Sequence, residues 1–161
     1  MKNHQIGFSL LELVIVLLII GILAVVAVPA YQNYVARAQL VEAFNLASSL
    51  KASVVEAFIQ DGQCLDNTQA QVEQTGVAAA QDITGRYVES ISLAAGTGGD
   101  ASCTITAKMK SQGVASDIQA KSLVLTMSNS TAVNNWRCSS SDIAPQFLPK
   151  ACQVDANAAG G

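Results

Sequence analysis

From Leu13 to Ala36 the chain carries no charged side chain, and Leu13 to Ala30 is apolar apart from Gly21 and Pro29. That run is close to the ~20 residues that cross a bilayer as a helix. After Pro29 the pattern becomes amphipathic. Leu40, Phe44, Ala47, Leu50, Val54 and Phe58 recur at helical spacing, while Arg37, Glu42, Asn45, Lys51 and Glu56 take other faces. No Gly or Pro breaks this second stretch before Gly62, which predicts a C-cap there. A helix from about Phe8 to Gln60 would be roughly 80 Å long at ~1.5 Å per residue. A soluble domain of this size has no use for such a rod.

Downstream the period changes from helical to alternating. Residues 61–85 are rich in Gln, Ala and Thr and predict a loop. Three strands follow. "GRYVESISL" puts Tyr87, Ile91 and Leu93 on one face and ends at the turn "AAGTGGD". "ASCTITAKM" alternates Cys103, Ile105, Ala107 and Met109 inward with Thr104, Thr106 and Lys108 outward. "KSLVLTM" turns Leu123, Leu125 and Met127 inward. An antiparallel sheet with one apolar face needs a cover, and the amphipathic half of the long helix supplies it, an α+β arrangement. The segment "NNWRCSSSDIAPQFLPKACQ" reads as a loop, with Trp136 expected to pack against the sheet or a disulfide. The tail "VDANAAGG" is small and polar and is expected to fray.

Composition adds exclusions. The chain has 161 residues, room for one modest domain and an extension. It is 50% hydrophobic, but much of that excess sits in the first thirty residues, so the remainder reads as an ordinary soluble domain. A net charge of −3 without any block of Lys or Arg gives no sign of a broad nucleic-acid-binding face. The single histidine, His4, is at the extreme N-terminus and no CxxC pair occurs, so no Cys/His metal site is expected. There is no GxSxG, Walker loop or HExxH. "GTGGD" lies between two strands, and Ser139 to Ser141 beside Asp142 lacks a base, so a hairpin turn and a surface loop are the readings. No catalytic residue, metal or cofactor is expected. Four cysteines behind a membrane-targeting segment read as two disulfides formed in an oxidising compartment, and four allow three pairings.

The N-terminal run is too long for the core of a secretory signal peptide and no cleavage region follows it. Lys2 in the polar leader favours a cytoplasmic N-terminus. A plain anchor leaves Glu12 unexplained, because an ionised carboxylate in hydrocarbon costs several kcal/mol unless it lies near the interface or finds a partner. Gly7, Phe8 and Glu12, followed by the apolar run, Pro29, Tyr31, Tyr34 and Arg37, resemble the N-terminal signature of type IV pilins. The short leader ending in Gly7 is similar to that of the type IVa class.

The resemblance implies the following. A prepilin peptidase removes residues 1–7 by cutting between Gly7 and Phe8 and N-methylates Phe8. Residues 8–30 form the transmembrane and filament-core helix, and residues 31–161 the amphipathic helix half with the globular head, in a type IV pilin fold. Glu12 pairs with the amine of Phe8 on a neighbouring subunit during assembly, and Gly21 and Pro29 are helix weak points. Cys138 and Cys152 close a C-terminal disulfide loop, which leaves Cys64 and Cys103 as a second bridge, a departure from members with only one. The implied partners are copies of itself in a homopolymer, minor pilins, the assembly machinery of the inner membrane, and the membrane before assembly. Nucleic acid enters only through the fibre. The subunit would sit in the inner membrane as a single-pass protein with its head in the periplasm, and then in an extracellular pilus serving adhesion, twitching motility, biofilm formation and DNA uptake. The alternatives are a minor pilin, a type II secretion pseudopilin, or a membrane-anchored periplasmic enzyme or binding domain.

Overall fold

A computed structural model of the chain describes residues 7–69, 75–96, 102–128 and 135–152. The leader before Gly7, most of the glycine-rich turn and the tail from Val154 lie outside the described residues.

The long apolar and amphipathic stretches form one rod, Leu10–Asp61. Its hydrogen bonding loosens at Leu50 (φ −87°, ψ −8°), dividing it into α1 (Leu10–Ser49) and α2 (Lys51–Asp61). Ser49 Oγ donates to the Leu46 carbonyl beside this joint, a side-chain bond that competes with the helical ladder. Gly62 ends the rod as expected, in the left-handed region (φ 67°), with its N–H on the Phe58 carbonyl.

Four strands follow, β1 (Val88–Ala95), β2 (Cys103–Met109), β3 (Ser122–Ser128) and β4 (Asn135–Ser139), paired antiparallel in chain order. The inward faces read from β2 and β3 are found as expected: Cys103, Ile105, Ala107, Met109, Leu123, Leu125 and Met127 are all buried. Two expectations need correction. In β1 the buried set is Val88, Ile91 and Leu93, not Tyr87. The pairing slips between Val88 and Ser90, so Glu89 is an extra residue turned outward to Lys108 (3.1 Å) while Val88 takes the core position. The segment after Asn134 is not all loop either. Five residues form β4, with Cys138 inward and Arg137 outward, and the half-buried Trp136 packs against the core.

The rod covers the inner face of the sheet with a narrow stripe. Ala36, Leu40, Ala43 and Ala47 are completely buried, and Val54 nearly so. Alanines at these positions let the helix backbone lie close to the sheet, while Phe44, Leu50 and Phe58 flank the contact half-buried. A Cβ at Gly85 would lie 2.1 Å from Glu42 Oε1 and 2.8 Å from Leu46 Cδ1, so both side-chain ends would have to move and Glu42 would leave the Tyr87 N–H.

The open edge of β1 is guarded by the segment after the rod. Asn67, 1% exposed, accepts from the Leu93 N–H (2.7 Å) and donates to the Ile91 carbonyl (2.9 Å), replacing a neighbouring strand. The Ala80 carbonyl accepts from the Ile91 N–H, and the Asn67 carbonyl holds the Ala80 N–H.

Candidate functional site

No group of three or more His, Cys, Asp or Glu side chains capable of holding a metal occurs among the described residues. The chemistry of this chain lies in its unburied helix. The apolar window of the rod is 0% buried by the rest of the chain, and from Phe8 to Val28 its large side chains face outward on every side. A helix apolar all round is stable only against lipid or against other helices.

At its start, Gly7, Phe8 and Ser9 precede the helix, and Ser9 is extended (φ −73°, ψ 141°), so the Gly7–Phe8 bond lies in exposed, non-helical backbone. Glu12 stands in the first turn. Its Oε2 accepts from the Ser9 backbone N–H (2.9 Å), the return half of a capping box. The carboxylate thereby satisfies one of the free N–H groups at the helix start and stands at the positive end of the helix dipole. This local role was missed in the sequence although Ser9-x-x-Glu12 is the pattern that signals it. The helix runs unbroken through Gly21 and Pro29 in the isolated chain.

At the other end of the apolar window Tyr31 and Tyr34 are exposed, 69% and 72%. Immediately beyond them the head attaches by polar bonds. Gln39 Oε1 accepts from the Ala115 N–H (2.8 Å), Glu42 Oε1 from the Tyr87 N–H (3.1 Å), and Arg37 donates from Nη2 to the Gln146 carbonyl. These three side chains fix the height of the head along the rod, and alternation and spacing give no hint of them.

Two disulfides close the head. Cys64, just past the rod, joins Cys103 on β2, and Cys138 on β4 joins Cys152 fourteen residues later. On the chain-entropy estimate a loop of that shorter length stabilises the fold by about 3 kcal/mol. Lys51 Nζ lies 5.4 Å from the Phe44 ring and 5.6 Å from that of Trp136, tying α2 to β4 through cation–π contacts. Burial lowers the pKa of its amine.

Comparison with known proteins agrees with this geometry. Residues 36–153 match the family Pilin (bacterial filament), and residues 2–28 match the prokaryotic N-terminal methylation motif. The chain is 46% identical over 155 residues to the fimbrial protein EcpC of Eikenella corrodens, covering 95% of this chain and 94% of that one. It is 43% identical over 139 residues to a type IV major pilin protein PilE1 of Neisseria gonorrhoeae, covering 86% of this chain and 59% of the relative. A fimbrial protein of Neisseria meningitidis is 40% identical over 138 residues, 86% of this chain and 75% of its own length. With a family match over most of the chain and a relative alike from end to end, the chain belongs to the pilin family of bacterial filament proteins.

Proposed function

We propose that the chain is a structural subunit of a type IV pilus, made as a prepilin and polymerised with copies of itself. One observation carries the reading: a rod of 52 residues whose apolar window its own head leaves entirely uncovered. Lipid covers that window before assembly and the helices of other copies cover it in the fibre.

In this reading residues 1–7 are a leader, 8–30 the membrane and filament-core helix, and 31–161 the amphipathic helix half with the head. A prepilin peptidase cuts between Gly7 and Phe8, and the new amine of Phe8 is N-methylated and stays positively charged. Glu12 keeps Oε2 on its own Ser9 and offers Oε1 to the Phe8 amine of a neighbouring copy. At ~4 Å and an effective dielectric of about 20, two unit charges attract by roughly 4 kcal/mol. Desolvation offsets much of that, so the pair specifies register more than it adds stability. Gly21 and Pro29 mark where the helix opens on packing, since proline contributes no N–H to the ladder. The inner-membrane assembly machinery and minor pilins are the other partners. The head faces the periplasm before assembly and the medium afterwards, in a fibre that serves adhesion, twitching motility and biofilm formation and reaches nucleic acid only as a fibre.

Shearing cells and weighing the intact protein in the released fibres tests this. Expected is a dominant species lacking Met1 to Gly7, with one added methyl and four cysteine hydrogens missing. A chain found only in membranes, with the leader still attached, would overturn it.

A further inference from the structure

The two disulfides differ in access. Cys138 and Cys152 are 3% and 0% exposed, and Cys103 on β2 is 1% exposed. Cys64 alone of the four is only half-buried, just past the point where the chain leaves the rod. It lines a cleft of about 690 Å³ between α2 and the segment that follows it. Thiol–disulfide exchange requires a thiolate to reach one of the two sulfurs, so access decides which bridge reacts and at which atom.

The cleft also carries a sign. Glu56 and Asp61 on α2 and Asp66 beyond Cys64 line it together with the cysteine, and its described lining residues include no Lys or Arg. All three carboxylates are exposed, and the contacts of two of them are to neutral groups. Glu56 accepts from Gln60 Nε2 (3.3 Å), and Asp66 from the Thr68 backbone N–H (2.9 Å). A thiolate approaching Cys64 therefore meets like charge. The repulsion grows when the reagent brings an anionic flank and shrinks when it brings a cationic one.

We propose that Cys64 is the head's point of thiol–disulfide exchange, and that it takes thiols with cationic or neutral flanks ahead of anionic ones. The thiolate attacks Cys64 Sγ, the bond to Cys103 breaks, and the electron pair leaves on Cys103 Sγ, which takes up a proton. The product is a mixed disulfide at Cys64 and a thiol at Cys103. A second thiolate, attacking the reagent's sulfur, releases the Cys64 thiolate, which is protonated in turn. Two thiols are thus oxidised to one disulfide as the bridge is reduced, and Cys138–Cys152 stays closed. Opening the bridge also removes the covalent anchor beside Asn67, which holds the edge of β1.

The oxidised full-length chain in non-ionic detergent, treated briefly with a monothiol, provides the test. The reaction is quenched with acid, new thiols are alkylated, and both modifications are mapped by peptide mass spectrometry. Cationic cysteamine, neutral mercaptoethanol and anionic mercaptoacetate are compared, each rate divided by that thiol's rate on a small uncharged disulfide. Expected is the thiol adduct on Cys64 and the alkyl group on Cys103, with Cys138 and Cys152 untouched. At low salt the normalised rate should fall by about threefold per unit of charge from cation to anion, the effect of one carboxylate roughly 7 Å away in water. The differences should collapse at about 1 M salt, where the screening length is ~3 Å. Glu56→Gln with Asp66→Asn, which keeps an acceptor for the Thr68 N–H, should narrow them at low salt. In the adduct the Leu93 amide should exchange faster than in the parent. Adducts on Cys138 or Cys152 as early as on Cys64, or on Cys103 with Cys64 alkylated, would overturn the site. Equal normalised rates at low salt would overturn the charge preference, and unchanged Leu93 protection in the adduct would overturn the link to the β1 edge.

Discussion

Replacing Asn67 by Ala removes a side chain that substitutes for a missing strand beside β1. Asn67 is 1% exposed, and the mutation deletes the bond from the Leu93 N–H (2.7 Å) and the bond to the Ile91 carbonyl (2.9 Å). One buried donor and one buried acceptor are left without partners, and each such group costs about 1–3 kcal/mol. The sum, about 2–6 kcal/mol, is a large part of the ~5–15 kcal/mol by which domains are stable. The assay is urea denaturation of the oxidised full-length chain in detergent, followed by Trp136 fluorescence, because that residue lies on β4 and reports the head rather than the rod. The midpoint should fall with the slope unchanged. The Leu93 amide should lose hydrogen-exchange protection relative to Ile105, which lies on the interior strand β2. Thr68→Ala, at an exposed neighbour, should stay within about 0.5 kcal/mol of the parent. An Asn67→Ala midpoint equal to that of Thr68→Ala, with Leu93 still protected, would refute the edge-guard reasoning.

Other consequences can be checked directly. Glu12→Ala should leave the Gly7–Phe8 cleavage intact by mass spectrometry yet abolish fibres under the electron microscope, and wild-type piliation would sink the register role. Gly85→Ala places a Cβ 2.1 Å from Glu42 Oε1 and should lower stability by about 1–3 kcal/mol in a thermal melt. Because burial lowers the pKa of Lys51 below its ordinary 10.5, the unfolded chain binds the extra proton between the two values. This group's contribution to stability therefore rises with pH across that alkaline window. Lys51→Met should flatten the slope of stability against pH there, and an unchanged slope would count against the burial effect.

Much of this architecture was legible because it rests on periodicity. The switch at Pro29 from apolar to amphipathic, the Gly62 cap, and the alternation of β2 and β3 each follow from a single repeating constraint. What escaped was set by tertiary neighbours. Val88 takes the fully buried position and leaves Tyr87 half-buried against the core, because a bulge turns Glu89 toward Lys108. The strand β4 is only five residues long and runs into three serines, so its alternation is too brief to separate from a loop. The buried helix stripe includes Ala36, Ala43 and Ala57, small residues that a search for large apolar side chains passes over. Asn67 lies in a stretch of Gln, Ala and Thr, where nothing local marks it as the edge of a sheet. At the N-terminus Glu12 was legible as an anomaly, while its bond to Ser9 was overlooked because the charge was weighed against lipid and a neighbouring subunit but not against its own helix start.

The placement of the disulfides also decides how the head carries tension. Pulled by its helix, the chain would otherwise pay out the segment from Cys64 to Cys103, a separation of 39 residues and roughly 130 Å of slack at ~3.4 Å per extended residue. The bond passes the load from the end of the rod straight to β2, an interior strand held by neighbours on both sides. β1 and its guarding loop lie inside that covalent bypass and feel none of the pull. At the far end Cys138 and Cys152 tie the last described turn back to β4 in the same way. Under traction only the stretch from Cys103 to Cys138, held by the pairing of β2, β3 and β4, is left outside the two covalent loops.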